Sequence, residues 1–588
     1  MFNKKIILAA SLSAIFISNS ANAVIGPIKI SLNTEYRTSN PVIGEIATTI
    51  KLDKSDIEDT GATTFTGLLQ SIPSVSFEGG QGNLRALRLR GNEASHTLLL
   101  LDGHKVTITG GQPNLDVIPL DQIERIEITK GPFSSLYGPG AIGGVIHIFT
   151  DKDVNSITSS KIDISSGSKG TTKTNLNTYF KNDKSYLDIA LTDFETDGID
   201  ATGDGDLDPI DRKTLGVNFG SQITEKTAIS LNLLDTKANI QYDDSWSTPK
   251  PDNDLKQINL GIAHNYGKRS KVNIDILRQD TKRRGDKYKL NTLTLINETD
   301  FDFSKLSLGI SNTVDKDLSN SKNIKHTDVF TQWQGLVRDN EISVGARLID
   351  HDKFSSHTTY NFNWARDISA DTRINASYGS ATNLPDHYKN NLNISQSQTS
   401  LKPERSNNIE LGLKTELEQG DLQLKIYKSK VKDAFSYLDP DNDWTTSNAY
   451  YVNDGVVNIS GLELSFGSEF FGWDMDSSID FNKAIAASTN LQKGRRPNRS
   501  ISINLNKSSG KWQRNINWTA KSWAWDKDNH STGKIGGYGL LNLSTSYNFT
   551  DDLSIYLNRN NALDKNYEMA KGYNTLGKTT TIGLTYNF

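Results

Sequence analysis

The sequence predicts an all-β transmembrane barrel of about 22 antiparallel strands, its lumen closed by a small N-terminal α/β plug domain. Three observations lead there. Beyond Asp151 the chain alternates apolar and polar residues in segments of about ten, separated by Asn, Asp, Gly and Ser clusters. Examples are Lys161 to Ser165, Asn175 to Phe180, Ser185 to Leu191, Ile229 to Leu234, Leu422 to Tyr427 and Gly461 to Phe466. Dividing the roughly 437 remaining residues by about 20 per strand and turn gives the strand number. Second, hydrophobic residues make up only 35% of the chain and no long apolar run follows the N-terminal one. This suits a barrel in which only alternate residues meet lipid. Third, the terminal run Thr581 to Phe588 places Ile582, Leu584, Tyr586 and Phe588 on one face. On a soluble edge strand such a row invites aggregation, whereas on a lipid-facing strand it is buried.

The first residues carry Lys4 and Lys5, an apolar run from Ile6 to Ile17 and then Ala21-Asn22-Ala23. That order of charge, apolar core and small residues is a secretory signal peptide over residues 1–23, too short for the roughly 20 apolar residues of a membrane span. Residues 24–37 read as a mobile N-terminal segment, 38–151 as the plug and 152–588 as the barrel. Removing two lysines takes the net charge from -4 to about -6, which offers nucleic acid no electrostatic footing. Cysteine is absent, so disulfides, thiolate metal sites and a cysteine nucleophile are excluded.

Within the plug a short helix is expected at Thr64 to Gln70, with strands at Leu84 to Arg90, Thr97 to Leu101, Ile123 to Thr129 and Val145 to Phe149. The run Leu98 to Leu101 has no polar alternation, so its strand is expected to be buried on both faces. From Ile123 to Thr150 the chain reads IERIEITKGPFSSLYGPGAIGGVIHIFT, with turns at Gly131-Pro132 and Tyr137-Gly138-Pro139-Gly140. This stretch, with Arg90-Gly91 and Leu98 to Gly103 upstream, resembles the plug signature of TonB-dependent outer-membrane receptors. The resemblance implies a gated importer in the bacterial outer membrane. Its partners would be a periplasmic TonB-like energy-coupling protein, outer-membrane lipids and the barrel assembly machinery, and it would act as a monomer. Within that family the cobalamin-transporting branch is the nearest match. It rests on Gly79-Gly80-Gln81-Gly82-Asn83-Leu84, Ala94-Ser95-His96, Leu401-Lys402-Pro403-Glu404-Arg405-Ser406, Ile459-Ser460-Gly461-Leu462-Glu463 and Leu563 to Glu568. A corrinoid ligand is therefore expected, with a ferric siderophore or haem as the alternative.

Two acidic loops bear on substrate class: Asp197 to Asp208, and Gln241-Tyr242-Asp243-Asp244 with Asp252 and Asp254. Crowded carboxylates repel one another without a cation, and Ca²⁺ takes six to eight oxygens. The loop is not an EF-hand, because counting from Asp204 puts Pro209 at the glycine position and Leu215 at the glutamate position. The resemblance assigns structural Ca²⁺ ligation to Asp200, Asp204, Asp206, Tyr242, Asp243 and Asp254; solvated acidic turns are the alternative. By the same resemblance the substrate meets the plug at Leu84, Arg85 and Ala86 and at Thr107, Thr109, Gln112 and Asn114. Arg85 departs from the family pattern, where a small polar residue stands. Pro27, Ile28, Lys29, Ile30, Ser31, Leu32 and Asn33 are assigned to TonB coupling, since a short extended segment can be captured by adding to a sheet edge. Catalysis is not expected: His96, His104 and His147 lie in plug segments with no Ser-His-Asp set.

Overall fold

The structure is a computed structural model that describes residues 34–38, 41–44, 46–79, 86–107, 111–152, 157–242, 252–398, 400–440 and 448–588. The described residues form a closed barrel of 22 antiparallel strands around an N-terminal α/β plug. Closure joins the last strand, Thr579–Asn587, to the first, Ser159–Gly167, in the register Ile582↔Ser166 and Leu584↔Ile164. On that last strand Ile582, Leu584 and Tyr586 are 52%, 42% and 43% exposed, so the apolar row faces outward as the alternation requires. Among the described residues no helix is long and apolar enough to cross a membrane. Crossing is by strands.

Strand length departs from the expected ten residues. It runs from 8 residues in Leu553–Asn560 to 21 in Tyr450–Phe470. At 3.4 Å per residue the longest spans about 70 Å, well beyond an apolar band about 25 Å tall. The excess extends beyond the lipid.

The plug sheet has the order Thr48–Asp53, Arg125–Lys130, Gly144–Phe149, Thr97–Leu101, His104–Lys105. Thr97–Leu101 runs parallel to Gly144–Phe149 and buries both faces, Leu99 and Leu101 in one apolar cluster, Leu98 and Leu100 in another. The expected helix is Phe65–Gln70, capped by Thr64, whose hydroxyl accepts from the Gly67 amide. Not foreseen were the edge strand Thr48–Asp53 and the helix Lys54–Asp59, whose start is fixed by a reciprocal cap between Asp53 and Asp56.

Gly144 holds two plug strands together at φ +149, and a Cβ there would lie 2.5 Å from the Thr129 carbonyl oxygen and 2.8 Å from Leu89 Cδ2. Neither the backbone nor the packed leucine can yield cheaply. Gly144→Ala is expected to destabilise the plug by about 1–3 kcal/mol, read as a lower unfolding temperature by calorimetry.

Candidate functional site

Three constellations connect plug, barrel and loops. The first is a buried charge lock. Arg90, in the left-handed region at φ 51, donates through Nε and Nη2 to both oxygens of Glu463 at 2.9 and 2.7 Å, and through Nη1 to Glu410 at 2.6 Å. Its guanidinium lies over the Tyr427 ring, 4.1 Å from the centroid. Lys130 adds a bond to Glu463 at 3.1 Å, and Thr48 donates to Glu410 at 2.8 Å. A planar fork matched to a carboxylate is the strongest form of such a pair. Nearby, His96 Nε2 and Glu404 are 2.7 Å apart, and Asn383 donates to the same carboxylate. Arg90-Gly91, Pro403-Glu404-Arg405 and Gly461-Leu462-Glu463, scattered in sequence, thus meet at the plug-barrel boundary.

The second constellation ties the plug apex to extracellular loops. Glu78 ends the strand Val75–Glu78 and pairs with Arg88 across the hairpin, and with Arg495 of loop 487–498 at 2.5 Å. Glu93 pairs with Arg496 at 2.6 Å and Lys493 at 3.3 Å. Burial alone would raise the Glu93 carboxyl, but Arg496, Lys493 and Arg88 hold it well below the usual carboxylate range. Arg495 also binds Asp526 of loop 522–537 at 2.9 Å. These loop arginines escaped the sequence reading; the Arg495-Arg496 doublet after Gly494 was the available signal.

The third is a clamp at the chain's start. Residues 34–37, read from sequence as part of the mobile segment, pack into the plug instead, with Thr34 and Glu35 each 1% exposed. The Gly103 amide donates to His147 Nε2 at 2.7 Å, which leaves the ring proton on Nδ1, 3.0 Å from Thr34 Oγ1. The Thr34 hydroxyl proton in turn goes to Glu127. One proton order satisfies the whole chain, with the imidazole neutral. Burial, reinforced by Arg125, holds His147 well below its ordinary value. Tyr137 donates to the Thr34 carbonyl at 2.8 Å, Arg37 to that of Leu136 at 2.7 Å, and Glu35 accepts from the Ile46 and Ala47 amides. Residues 27–33 lie outside the described residues.

Of the expected substrate contacts, Ala86 opens the strand Ala86–Leu89 opposite Glu78, and Thr107 is buried. The Gln112 carbonyl accepts from Arg283 at 3.3 Å, and Asn114 Nδ2 donates to Asn253 at 3.4 Å. Leu84, Arg85 and Thr109 lie outside the described residues. Among the expected Ca²⁺ ligands, Asp200 turns its carboxylate onto the amides of Gly203, Asp204 and Gly205 at 2.5, 3.1 and 3.0 Å. Asp206 accepts from Gln241 at 3.2 Å, which bridges the two acidic loops. Tyr242 is buried beside Phe194 and Ile210, its hydroxyl 3.5 Å from Asn253 Oδ1. Asp254 accepts from the Ala238 amide at 3.4 Å. Asp243 lies outside the described residues. Among the described residues the acidic groups converging within 4.8 Å are Asp193, Glu195 and Asp211, with Lys213 beside all three. Asp200, Asp204, Asp206 and Asp254 do not converge in this way as they stand.

A barrel spanning the outer membrane, with a plug locked into its lumen and an N-terminal segment clamped to that plug, defines a gated, externally energised transporter. The model of the TonB dependent receptor-like β-barrel matches residues 150–562 and that of the TonB-dependent receptor plug domain matches residues 44–145, and the chain belongs to this family. It is 24% identical to the vitamin B12 transporter BtuB of Photobacterium profundum, covering 100% of both chains. Among solved structures it resembles the siderophore receptor PirA from Acinetobacter baumannii, at 17% identity and a TM-score of 0.77 over 92% of this chain and 98% of that one. It also resembles the copper transporter OprC, at 16% identity and a TM-score of 0.78 over 92% and 100%. At these identities the solved structures speak for the fold alone.

Proposed function

We propose that this receptor imports cobalamin or a related corrinoid across the outer membrane, energised by a periplasmic TonB-like protein, and that it is a transporter without enzymatic activity. The observation that carries the reading is the end-to-end match to a vitamin B12 transporter, with no domain left over on either chain. The loop architecture supports it. Asn253 receives both Asn114 of the plug and Tyr242 of the second acidic loop, while Gln241 joins that loop to Asp206 of the first. Ordering the acidic loops would therefore be felt at the plug's substrate-facing loop.

In this reading Asp200, Asp204, Asp206, Tyr242, Asp243 and Asp254 hold Ca²⁺. Asp204 and Asp206 are exposed, and hard oxygen donors suit that ion. A Ca²⁺ ion would supply cross-linking charge between the loops. Calorimetric titration with cyanocobalamin, with and without Ca²⁺, tests the proposal. Binding that tightens with Ca²⁺ supports it, and absence of binding under both conditions overturns it.

A siderophore is the second reading, favoured by the presence of Arg85 among the substrate contacts expected from the sequence, since a guanidinium suits an anionic ligand. A charge-assisted hydrogen bond there is worth roughly 1.5–3 kcal/mol, so Arg85→Ala is expected to weaken binding about 10 to 100-fold. For an anionic siderophore the loss grows at low ionic strength, and for a neutral corrinoid it depends little on salt. Titrations at two salt concentrations separate the readings.

A further inference from the structure

The strands that grip Arg90 from the lumen carry cations on their outer face. Side chains alternate across a strand, so in Gly420–Leu438 Tyr427 faces inward beneath Arg90, while Lys428, Lys430 and Lys432 face outward and are exposed. In Tyr450–Phe470 Glu463 faces inward and Ser460 outward, and in Trp473–Ala486 Lys483 faces outward. Register places three of these side chains on one level, with Lys428 opposite Ser460 and Ser460 opposite Lys483. At about 4.8 Å between strands, the two lysines stand about 10 Å apart with the hydroxyl between them. One level lower, Ile426, Leu462 and Phe481 form an apolar row that ends in the exposed Arg499. The ammonium groups thus sit where the lipid-facing surface gives way to water, in the half of the strands nearer loop 487–498. Among the described residues Lys428, Lys430, Lys432, Lys483 and Arg499 pair with no carboxylate. Around the wall, by contrast, Lys213 has Asp193, Glu195 and Asp211 within 3.8 Å, Lys256 lies 3.5 Å from Asp235, and Lys289 lies 3.2 Å from Asp280. Inside, a gap of about 40 Å³ lies beside the lock, whereas about 400 Å³ lies between the plug and the closing seam, bridged by Asp121 and Lys173 at 2.6 Å.

We propose that Lys428, Ser460, Lys483 and Arg499 bind the phosphate of an outer-leaflet lipid, and that the bound lipid braces the strands on which the plug is locked. Two ammonium groups flanking a hydroxyl offer donors to a phosphate's oxygens, and Arg499 adds a planar fork. Lysine stems can cover apolar surface while their charge stays in the headgroup layer, and the apolar row below suits the acyl chains. The site rests on the outer-membrane location and holds for any substrate. The purified full-length receptor in detergent is titrated with diphosphoryl lipid A, with the same lipid freed of its phosphates, and with inorganic phosphate. Native mass spectrometry reads binding, and calorimetry reads the plug's unfolding temperature. Each cation near the headgroups changes affinity about fivefold, so Lys428→Gln combined with Lys483→Gln should weaken lipid A binding by about tenfold or more. Lys213→Gln combined with Lys256→Gln, whose lysines are already paired, should change it less than about twofold. Lipid A should raise the plug's unfolding temperature by about 3 °C or more in the wild type and leave the Lys428, Lys483 variant unchanged. These variants alter exposed charges only, and wild-type unfolding temperatures without lipid establish that both are folded. Equal lipid A affinity of the wild type and the Lys428, Lys483 variant, or equal wild-type affinity for both lipids, overturns the site. Equal protection by inorganic phosphate at the same concentration overturns the lipid as its occupant, and binding without a rise in unfolding temperature overturns the bracing.

Discussion

Arg90→Ala is expected to loosen the plug from its barrel more than any other single truncation at the interface. The change leaves Glu463 and Glu410 buried with weaker partners, Lys130 at 3.1 Å and Lys425 at 3.6 Å. Breaking a buried ion pair by removing one member costs about 3–5 kcal/mol, because the remaining charge stays desolvated. The two lysines place this case near the lower end. A fall of roughly 10 °C in the plug's unfolding temperature, read by calorimetry, is the expected result. Arg90→Lys keeps the charge but loses the fork and should fall between the two. An unfolding temperature for Arg90→Ala equal to that of the wild type would show that the lock contributes no stability.

The second large effect is on energy coupling. Deleting Pro27 to Asn33 should abolish energised uptake while substrate affinity changes less than about twofold, since none of the expected substrate contacts falls within that segment. Uptake by the deletion variant at the wild-type rate would move the coupling segment elsewhere. The clamp sharpens this test. Thr34→Val keeps the side chain's shape and removes its bonds to His147 and Glu127, each worth about 0.5–1.5 kcal/mol net. The preceding segment should then be released, and affinity for the coupling protein should rise about tenfold. Acid acts on the same chain of protons. Since the folded His147 titrates well below its unfolded value near 6.5, the unfolded plug binds the extra proton first. This contribution to plug stability is therefore fully present above pH about 6.5 and declines as pH falls through that value. Denaturant titrations at pH 5.5 and 7.5 measure it, and His147→Gln should remove it.

Much of the architecture was legible because strand pleating is local. Alternation marked the barrel, the unbroken leucines Leu98 to Leu101 marked a strand buried on both faces, and Ile582, Leu584 and Tyr586 marked the lipid face of the last strand. Each follows from the two-residue period of a strand and the medium on each side of it. Thr48–Asp53 and Lys54–Asp59 were missed because a six-residue strand running straight into a six-residue helix offers neither period room to show. The functional couplings were beyond any local pattern. Arg90 meets Glu410 and Glu463 across 320 and 373 residues, and Thr34 meets Glu127 and His147 across 93 and 113. The sequence by itself thus determined that the chain is a plugged barrel of the outer membrane, since strand period and turn chemistry are written in neighbouring residues. Only the tertiary structure decided which wall grips the plug, where residues 34–37 are tied down and on which side a gap remains. Those depend on the register in which the barrel closes around the plug, and register brings together charges that no stretch of chain holds side by side.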